Sequence, residues 1–531
     1  MKILTLNPPF VARFTRSSRS PAISKGGCVY YPLWLTFTTG VLEQDGHNVK
    51  LVDAPAASLS HEDVYGMAED FRPDLIVLDT VTASFNNDKK VAEDIKKILP
   101  DTFIAMVGTH VTALPDRSLM EAPAVDAVVR GEQDFVVRDL ARVLGNGRDL
   151  GKVRGLSYRT EEAKERVKDT KASESKSKIK ILDDGSKEGN GIKHNLDMPW
   201  ITGEELDQMK FSSEVYSRHL NIEDYFYPSV LYPEVTIITS RGCYYRCTFC
   251  KFPQTITGHE GRTRSVENIV NEFEWIGDNL PQVKDIMIED DTMTQDRKRI
   301  MAICDEIKNR QLNVTWTCNA RADLDYDVLK NMKQSGCREV CVGFESASQE
   351  ILNNIRKGTK VEKIRQFAKD TKKAGVLVHG CFMLGNMGET KETIKQTIDF
   401  AKELDPDTAQ FFPLMLYPGT EAYKWAQQNN FLTSTNWNDW LKMDGTHNTN
   451  LSTDKLTAKE LVEGCDRGRV EFYMRPTYIG RKVFQGITNP REFPRLFKSG
   501  KTFFKYLKEH VHNRMSSDFW TKPSQVGNAE F

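Results

Sequence analysis

Six short apolar runs between residues 234 and 416 are each followed by helical periodicity, and this alternation constrains the fold most strongly. The expected strands are Val235–Thr239, Asp285–Glu289, Val314–Cys318, Val340–Phe344, Val376–Leu384 and Ala409–Leu416. Six strand–helix units favour a partial (β/α)6 barrel over an open parallel sheet, although periodicity alone leaves closure undecided. Chemistry in such barrels gathers at the carboxyl ends of the strands.

Residues 1–150 show a second strand–helix alternation, with expected strands that include Lys2–Asn7, Leu75–Leu78 and Phe103–Val107. This pattern predicts a doubly wound, Rossmann-like α/β sheet, in which ligands bind beyond the carboxyl ends of the strands. A chain of 531 residues has room for roughly two to four domains. We therefore expect an N-terminal domain at 1–150, a linker at 151–232, the barrel at 233–430 and a mainly helical C-terminal region at 431–531.

The predicted linker contains an insert at about 160–195 that is dominated by charged and small polar residues. Such a segment buries too little apolar surface to offset its ordering entropy, so we expect disorder. The net charge of −1 gives no indication of a nucleic-acid partner. No apolar stretch approaches the ~20 residues of a membrane span, and the N-terminus does not resemble a signal peptide. The expected location is the cytoplasm, where cysteines stay reduced or bind metal.

Three of the ten cysteines, Cys243, Cys247 and Cys250, lie within eight residues, just after the first expected barrel strand. A tight loop with this C-x3-C-x2-C spacing can direct three thiolates at one metal centre. Iron–sulfur clusters usually take four cysteine ligands, so a three-cysteine loop leaves one iron open to another ligand. Two alternatives are three buried, unligated thiols and a structural zinc site, although the latter usually needs four ligands.

The run from Cys243 to Cys250, with the aromatic Phe249 before its last cysteine, resembles the signature of radical S-adenosylmethionine (SAM) enzymes. The resemblance implies that a 4Fe–4S cluster on these cysteines chelates SAM through its open iron. It also implies that one electron, from a donor such as flavodoxin or ferredoxin, cleaves SAM to a 5′-deoxyadenosyl radical. The protein supplies position and exclusion of solvent for this chemistry.

Motifs at later strand ends also resemble those of this family and imply further cofactor contacts. An acidic motif with Glu289 and Asp290 corresponds to the one that receives the SAM ammonium, and Arg321 lies in the next strand's motif. Glu345 and Ser346 belong to a motif that faces the ribose and carboxylate of SAM. Alternatives are a helix N-cap for Asp290 and a surface ion pair for Arg321.

The N-terminal segment resembles the cobalamin-binding domain that precedes the barrel in one large radical SAM subclass. The resemblance rests on Asn7-Pro8-Pro9, on Gly108-Thr109-His110 and on Val129-Arg130-Gly131-Glu132. It implies that the cofactor borders Asn7, Thr82, Ser84, Gly108, Thr109, His110 and Gly131. The Asp-x-His-x-x-Gly motif that supplies a cobalt ligand in many cobalamin domains is missing, so we expect cobalt without a protein histidine. The alternative is a degenerate sheet that only packs on the barrel.

Within this subclass, Tyr30–Leu35 and Asp53–Ala56 resemble the group associated with hopanoid biosynthesis and its uncharacterised relatives. The combined resemblance implies a cobalamin-dependent enzyme that transfers a methyl group to an unactivated carbon of a small molecule, with a lipid or isoprenoid as the candidate substrate class. One alternative keeps the cofactors but yields a cyclised or rearranged product. Another is a non-catalytic iron–sulfur protein.

The segment Arg491–Val511 has an amphipathic helical pattern, with an aromatic stripe on one side and basic residues on the other. Helices of this kind bind anionic membrane surfaces without spanning them. The alternative is that the stripe packs on the barrel, and Pro494 and Gly500 weaken the case for one continuous helix. Peripheral membrane contact is therefore one of two expectations for this segment.

Overall fold

The computed structural model describes residues 1–24, 26–147, 149–160, 180–181, 187–189, 191–489, 492–507 and 519–520. The N-terminal part forms one sheet with nine strands among these residues. The strands are β1 (Lys2–Asn7), β2 (Asn48–Asp53), β3 (Leu75–Asp79), β4 (Phe103–Val107), β5 (Ala127–Val129), β6 (Leu156–Arg159), β7 (Lys180–Ile181), β8 (Lys187–Gly189) and β9 (Ile192–His194). Their order is β2-β1-β3-β4-β5-β6-β9-β8-β7, and β1 to β5 pair in parallel.

Helices cover both faces of this sheet. They are α1 (Leu33–Gln44), α2 (His61–Phe71), α3 (Phe85–Ile98), α4 (Thr109–Ala113), α5 (Pro115–Glu121) and α6 (Gln133–Gly145). On β3, Leu75 and Val77 enter a core with α1 and α6, while Ile76 and Leu78 enter a core with α2 and α3. Because side chains alternate along a strand, a continuous apolar run serves both faces. The predicted doubly wound sheet is confirmed.

The predicted disordered insert at about 160–195 lies partly outside the described residues. Its carboxyl end, however, is regular structure and corrects that expectation. Strand β9 pairs antiparallel with β6, and β8 and β7 extend the sheet edge. Ile192 and Asn195 are buried, so this end of the insert has apolar and hydrogen-bonded contacts that offset its ordering cost.

Two short helices, α7 (Gly203–Gln208) and α8 (Ser212–His219), lead to the second sheet. Its strands are β10 (Glu234–Ile237), β13 (Asp285–Ile288), β14 (Trp316–Ala320), β15 (Cys337–Glu345), β16 (Leu377–Leu384) and β17 (Thr408–Pro413), and they pair in parallel in this order. A separate antiparallel pair, β11 (Ser240–Arg241) and β12 (Arg262–Thr263), flanks the loop after β10. The predicted six-strand partial barrel is thus confirmed.

The outer helices of the barrel follow the strands in sequence. They are α9 (Lys251–Thr255), α10 (Val266–Asn279), α11 (Arg297–Asn309), α12 (Tyr326–Gln334), α13 (Gln349–Asn354), α14 (Val361–Ala374) and α15 (Lys391–Leu404). The C-terminal region is mainly helical, with α16 (Glu421–Gln428), α17 (Ala458–Tyr473), α18 (Pro476–Thr488) and α19 (Phe493–Tyr506). Among the described helices, none combines the length and apolar character that crossing a bilayer requires.

The two sheets share a continuous interior. Tyr31 stacks on Tyr225 with ring centroids 3.8 Å apart, and its hydroxyl donates to the carbonyl oxygen of Glu234 at the start of β10. Arg241, fully buried, bonds Asp134 of α6 at 2.5 Å. These contacts fix the N-terminal sheet against the barrel end at which the cysteine loop lies.

Candidate functional site

A cavity of about 730 Å³ opens at the carboxyl ends of the barrel strands. Its lining joins three groups: the cysteine loop after β11, charged side chains at the ends of β13 to β15, and apolar side chains of α18 and α19. Polar chemistry and an apolar wall therefore meet in one space, as expected for a small-molecule site.

The cysteine loop is held by backbone contacts rather than by regular structure. Gly242 has φ of 86°, and a side chain there would meet the Glu260 carbonyl oxygen at 2.0 Å, so only glycine fits. The Gln254 amide donates to the carbonyl oxygens of Cys247, Thr248 and Cys250. These three hydrogen bonds keep the loop curved around the cavity.

Cys243, Cys247, Phe249 and Cys250 all line the cavity, as the sequence predicted. Burial raises the pKa of the Cys243 thiol, and burial and Asp291 raise that of Cys250 well above its usual range. A bound metal centre such as an iron–sulfur cluster stabilises thiolates at buried positions of this kind. The donor set therefore fits the cluster, with Cys243, Cys247 and Cys250 as its proposed ligands.

An acidic pair at the end of β13 faces the cysteine loop. Glu289 bonds the guanidinium of Arg19, whose other nitrogen lies 3.9 Å from Asp291. Burial raises the pKa of Glu289, and Arg19 opposes that shift. The second carboxylate oxygen of Glu289 is buried without a hydrogen-bond partner among the described residues. An unsatisfied buried oxygen in a cavity fits a cationic or hydrogen-bonding ligand such as SAM.

Arg19 was missed by the sequence analysis. It lies 270 residues before Glu289, in an irregular segment without a motif, so no local pattern indicates its role.

Asp290, predicted as a cofactor residue, does not line the cavity. Its carboxylate is buried and accepts hydrogen bonds from the backbone nitrogens and hydroxyls of Thr239 and Ser240. Asp290 therefore holds the end of β10 against β13. Asp291, one residue later, takes the place at the cavity.

Glu345 and Arg321 line the cavity, as predicted. Glu345 accepts a 2.8 Å bond from Lys357, and its other carboxylate oxygen has no partner among the described residues. Burial disfavours the Lys357 ammonium, but the Glu345 charge, the hydrogen bond to Glu345 and the nearby Cys247 together raise the Lys357 pKa. Arg321 stacks on the Tyr245 ring at 3.4 Å and donates to the Lys357 carbonyl. Arg321 thus belongs to the site rather than to a surface ion pair.

Ser346 is fully buried and does not line the cavity. Its hydroxyl lies 3.3 Å from that of Thr397 and accepts a bond from the Ser348 nitrogen. The structure therefore places Ser346, predicted as a cofactor residue, in contacts near the start of the next helix.

The predicted cobalamin residues lie after the carboxyl ends of β1, β3, β4 and β5, and those with side chains are buried. Asn7, Thr82, Ser84, Thr109 and His110 are each at most 7% exposed, and none lines the cavity. Gly108 and Gly131 have positive φ, and a side chain at Gly108 would meet the Thr80 carbonyl oxygen at 2.3 Å. Gly108 therefore allows β3 and β4 to approach each other.

A cover formed by Arg16, helix α9 and Trp437 closes these strand ends. Arg16 is buried and bonds Asn7, Ser84 and Asp88. The His110 ring lies between Phe85 and Trp437, and burial lowers its pKa to about 3. The cover therefore separates these strand ends from the cavity.

Two families match the chain in a scan against protein-family models. The Radical SAM superfamily matches residues 237–401, and the B12 binding domain matches residues 20–141. The predicted combination of the two domains is thereby confirmed, together with the three cofactors that such proteins use.

Known proteins resemble the chain over most of its length. An uncharacterized methyltransferase of Pyrococcus horikoshii is 30% identical over 91% of this chain and 95% of its own. Hopanoid C-3 methylase of Methylococcus capsulatus is 22% identical over 76% of this chain and 70% of its own. The solved structure of the cobalamin-dependent SAM radical enzyme OxsB, with aqua-cobalamin and SAM bound, superposes with a TM-score of 0.64. It covers 97% of this chain and 76% of its own at 16% identity, and so shows the shared fold.

Proposed function

This chain belongs to the radical SAM enzymes that carry a B12-binding domain, and from that premise we propose that it methylates an unactivated carbon of an apolar substrate. Membership of an enzyme family argues against the non-catalytic iron–sulfur alternative. The observation that carries the proposal is the continuity of one cavity from the cysteine loop to the apolar wall.

The cysteine loop would hold the cluster at one end of this cavity. The cluster and SAM, when bound, supply the 5′-deoxyadenosyl radical that removes a hydrogen atom from the substrate. Glu289 and Asp291 are positioned to receive the SAM ammonium, and Arg19 to pair with its carboxylate. Glu345, fixed by Lys357, offers its unpaired oxygen to the ribose hydroxyls. Flavodoxin or ferredoxin is the proposed class of electron donor.

The far wall of the cavity supports a lipid or isoprenoid substrate. Ile479, Val483 and Ile487 of α18 and Phe493 and Phe497 of α19 line it. The same side chains are 41–74% exposed, so one apolar surface continues from the cavity to the outside of the molecule. Large exposed apolar patches mark membrane or ligand contact. Peripheral docking of α18 and α19 on a bilayer would let a lipid chain enter without crossing water.

A second candidate is cyclisation or rearrangement of the substrate radical without methyl transfer. This candidate keeps the same cofactors but leaves the carbon count of the substrate unchanged. In the methylation candidate, cobalamin carries the methyl group and the cover must open.

Product analysis separates the two candidates. The full-length chain, reconstituted anaerobically, is incubated with SAM, a reductant and a lipid extract. Methylation predicts 5′-deoxyadenosine, S-adenosylhomocysteine and a product heavier by one methylene. Cyclisation or rearrangement predicts 5′-deoxyadenosine without S-adenosylhomocysteine and a product that gains no methylene. If no 5′-deoxyadenosine above that of the Cys243→Ala/Cys247→Ala/Cys250→Ala variant forms, both candidates fail.

A further inference from the structure

A second group of sulfur and nitrogen ligands lies inside the barrel on strands β15 and β16. Cys341 is directly opposite His379 in the parallel register, and Gly343 is opposite Cys381. Because every second residue of a strand points to the same face, these three side chains share the barrel interior. All three line the cavity, and none belongs to the cysteine loop. They form what we call the strand triad: Cys341, His379 and Cys381.

The strand triad has the spacing of a metal site. One ligand atom from each residue lies within 4.8 Å of the others, and the two sulfurs are 3.9 Å apart. Tetrahedral zinc with Zn–S distances near 2.3 Å places two sulfurs about 3.8 Å apart. The sulfurs would therefore need almost no movement to share a cation, whereas a disulfide requires about 2.05 Å.

Neighbouring hydroxyls orient the ligands. The His379 Nδ1 atom lies 2.7 Å from the Thr408 hydroxyl, on the adjacent strand β17, and the Tyr227 hydroxyl approaches the Cys341 sulfur at 3.9 Å. A polar partner that fixes the imidazole ring is a regular feature of histidine ligands. Four other cysteines differ: Cys304, Cys318, Cys337 and Cys465 are at most 1% exposed and do not line the cavity.

We propose that the strand triad binds a zinc-type divalent cation whose fourth position opens into the cavity. Two thiolates and one imidazole form the ligand set of a catalytic zinc site, whereas structural zinc takes four protein ligands. Binding exchanges the two thiol protons for the cation and involves no oxidation or reduction. Cys341 lies four residues before Glu345 on β15, about 13 Å from the strand end, so this metal is separate from the proposed cluster.

A cation at this depth would act as a Lewis acid on the buried part of a substrate. Its open position takes water, an oxyanion, a thiolate or an amine, and so adds a polar anchor opposite the apolar entrance. The proposal of a metal site can be tested separately from the proposed methyl transfer, because its test measures bound metal and not enzymatic turnover.

The test uses the full-length chain with Cys243, Cys247 and Cys250 changed to alanine, so that the cysteine loop cannot bind metal. Titration with cobalt(II) under anaerobic conditions should give thiolate charge-transfer and tetrahedral d–d absorption bands with one equivalent bound. Adding Cys341→Ala and Cys381→Ala should remove both sets of bands. The matched control adds Cys304→Ala and Cys465→Ala, which leaves the strand triad intact and should leave the bands unchanged.

A second variant tests the orienting contact, and metal analysis tests the native chain. Thr408→Val keeps the side-chain volume and should weaken zinc binding about 10–100-fold. The unaltered protein should contain one zinc in addition to cluster iron, and His379→Ala should lose the zinc but keep the iron. Cobalt bands that survive the loss of Cys341 and Cys381, or a Cys341–Cys381 disulfide in the anaerobically isolated chain, would overturn the proposal.

Discussion

Glu345 shows how single residues at this site are held under constraint. Its backbone φ is 64°, a left-handed value that is uncommon outside glycine, and it lies where the register between β15 and β16 shifts. Its carboxylate is 4% exposed and only half satisfied, by Lys357. Strain and a buried charge both cost free energy, and they cluster at sites prepared for a ligand. We attribute the arrangement of Glu345 to binding of the cofactor.

At the residue scale, the first prediction concerns the cysteine loop. Cys247→Ala should reduce SAM cleavage to the background rate, because two remaining thiolates leave iron under-ligated. The measurement is 5′-deoxyadenosine formation by the anaerobically reconstituted protein. Cys465→Ala, in a buried thiol of α17, is the control and should keep wild-type cleavage. Normal cleavage by the Cys247 variant would contradict the assignment.

The second prediction concerns Glu234, the first residue of β10. Burial raises its pKa to about 8, with further increases from Asp285 and Glu289. The folded state therefore keeps a proton that the unfolded chain releases near pH 4, and stability should fall as pH rises from about 4 to 8, by up to about 1.4 kcal/mol per unit.

Glu234→Gln should flatten this decline, since glutamine does not titrate. Denaturant unfolding at pH 5 and pH 8 measures the difference. The exposed Glu267→Gln should retain the wild-type slope. Equal slopes for Glu234→Gln and wild type would show that Glu234 ionises normally in the folded protein.

At the scale of elements, α19 occupies the segment in which an amphipathic helix was predicted. The helix begins at Phe493, with Pro494 in its first turn, where proline is tolerated. Its aromatic stripe is divided: Leu496 and Phe503 are half-buried, while Phe497 and Phe504 are exposed. The predicted residues 508–511 lie outside the described residues.

The third prediction follows from the exposed apolar surface of α18 and α19. The full-length chain should co-sediment with anionic vesicles and release as salt rises. Changing Phe484, Ile487 and Phe497 to serine should reduce the pelleted fraction, because these side chains are 66–74% exposed and contribute the apolar contact. Met443→Ser, at a fully exposed methionine elsewhere, is the control. Equal pelleting of all forms, or of none, would remove the case for membrane docking.

Local periodicity predicted the elements better than it predicted the site. The six barrel strands and the cysteine loop follow from apolar runs and a short motif, which are properties of neighbouring residues. Arg19, Lys357 and the strand triad were missed, because they come together only through tertiary contacts between distant segments. Asp290 and Ser346 were assigned to the cofactor since a motif does not reveal which of two adjacent side chains faces inward.

At the scale of the whole molecule, the packing between the N-terminal sheet and the barrel controls access to the cobalamin region. Lys251 of α9 lies close to the N-terminal sheet, because its main charged partner is Asp79 at the end of β3. Burial lowers the pKa of Lys251 to about 7. Burial likewise raises the Asp79 pKa to about 7. The side-chain nitrogen of Lys251 has no hydrogen-bond partner among the described residues, and Lys251 lines the cavity.

The fourth prediction concerns cobalt ligation. Cobalamin added to the full-length protein and reduced to Co(II) should show no imidazole nitrogen splitting from the protein in its electron paramagnetic resonance spectrum. His110 lies in α4, just after β4. Its ring is enclosed by Phe85 and Trp437 and is hydrogen-bonded to the Thr82 hydroxyl. His110→Ala should therefore leave the spectrum unchanged. Protein-derived splitting that disappears in His110→Ala would contradict this prediction.

The pairing of Arg19 with Glu289 also imposes an order on assembly during synthesis. The ribosome makes Arg19 270 residues before its partner, a delay of roughly 15–50 s at about 5–20 residues per second. The cysteine loop is synthesised within that interval. The barrel therefore receives the guanidinium of Arg19 from a segment that was synthesised much earlier. A nascent chain halted after the cysteine loop would therefore present all three thiols beside an Arg19 that still lacks its acidic partner.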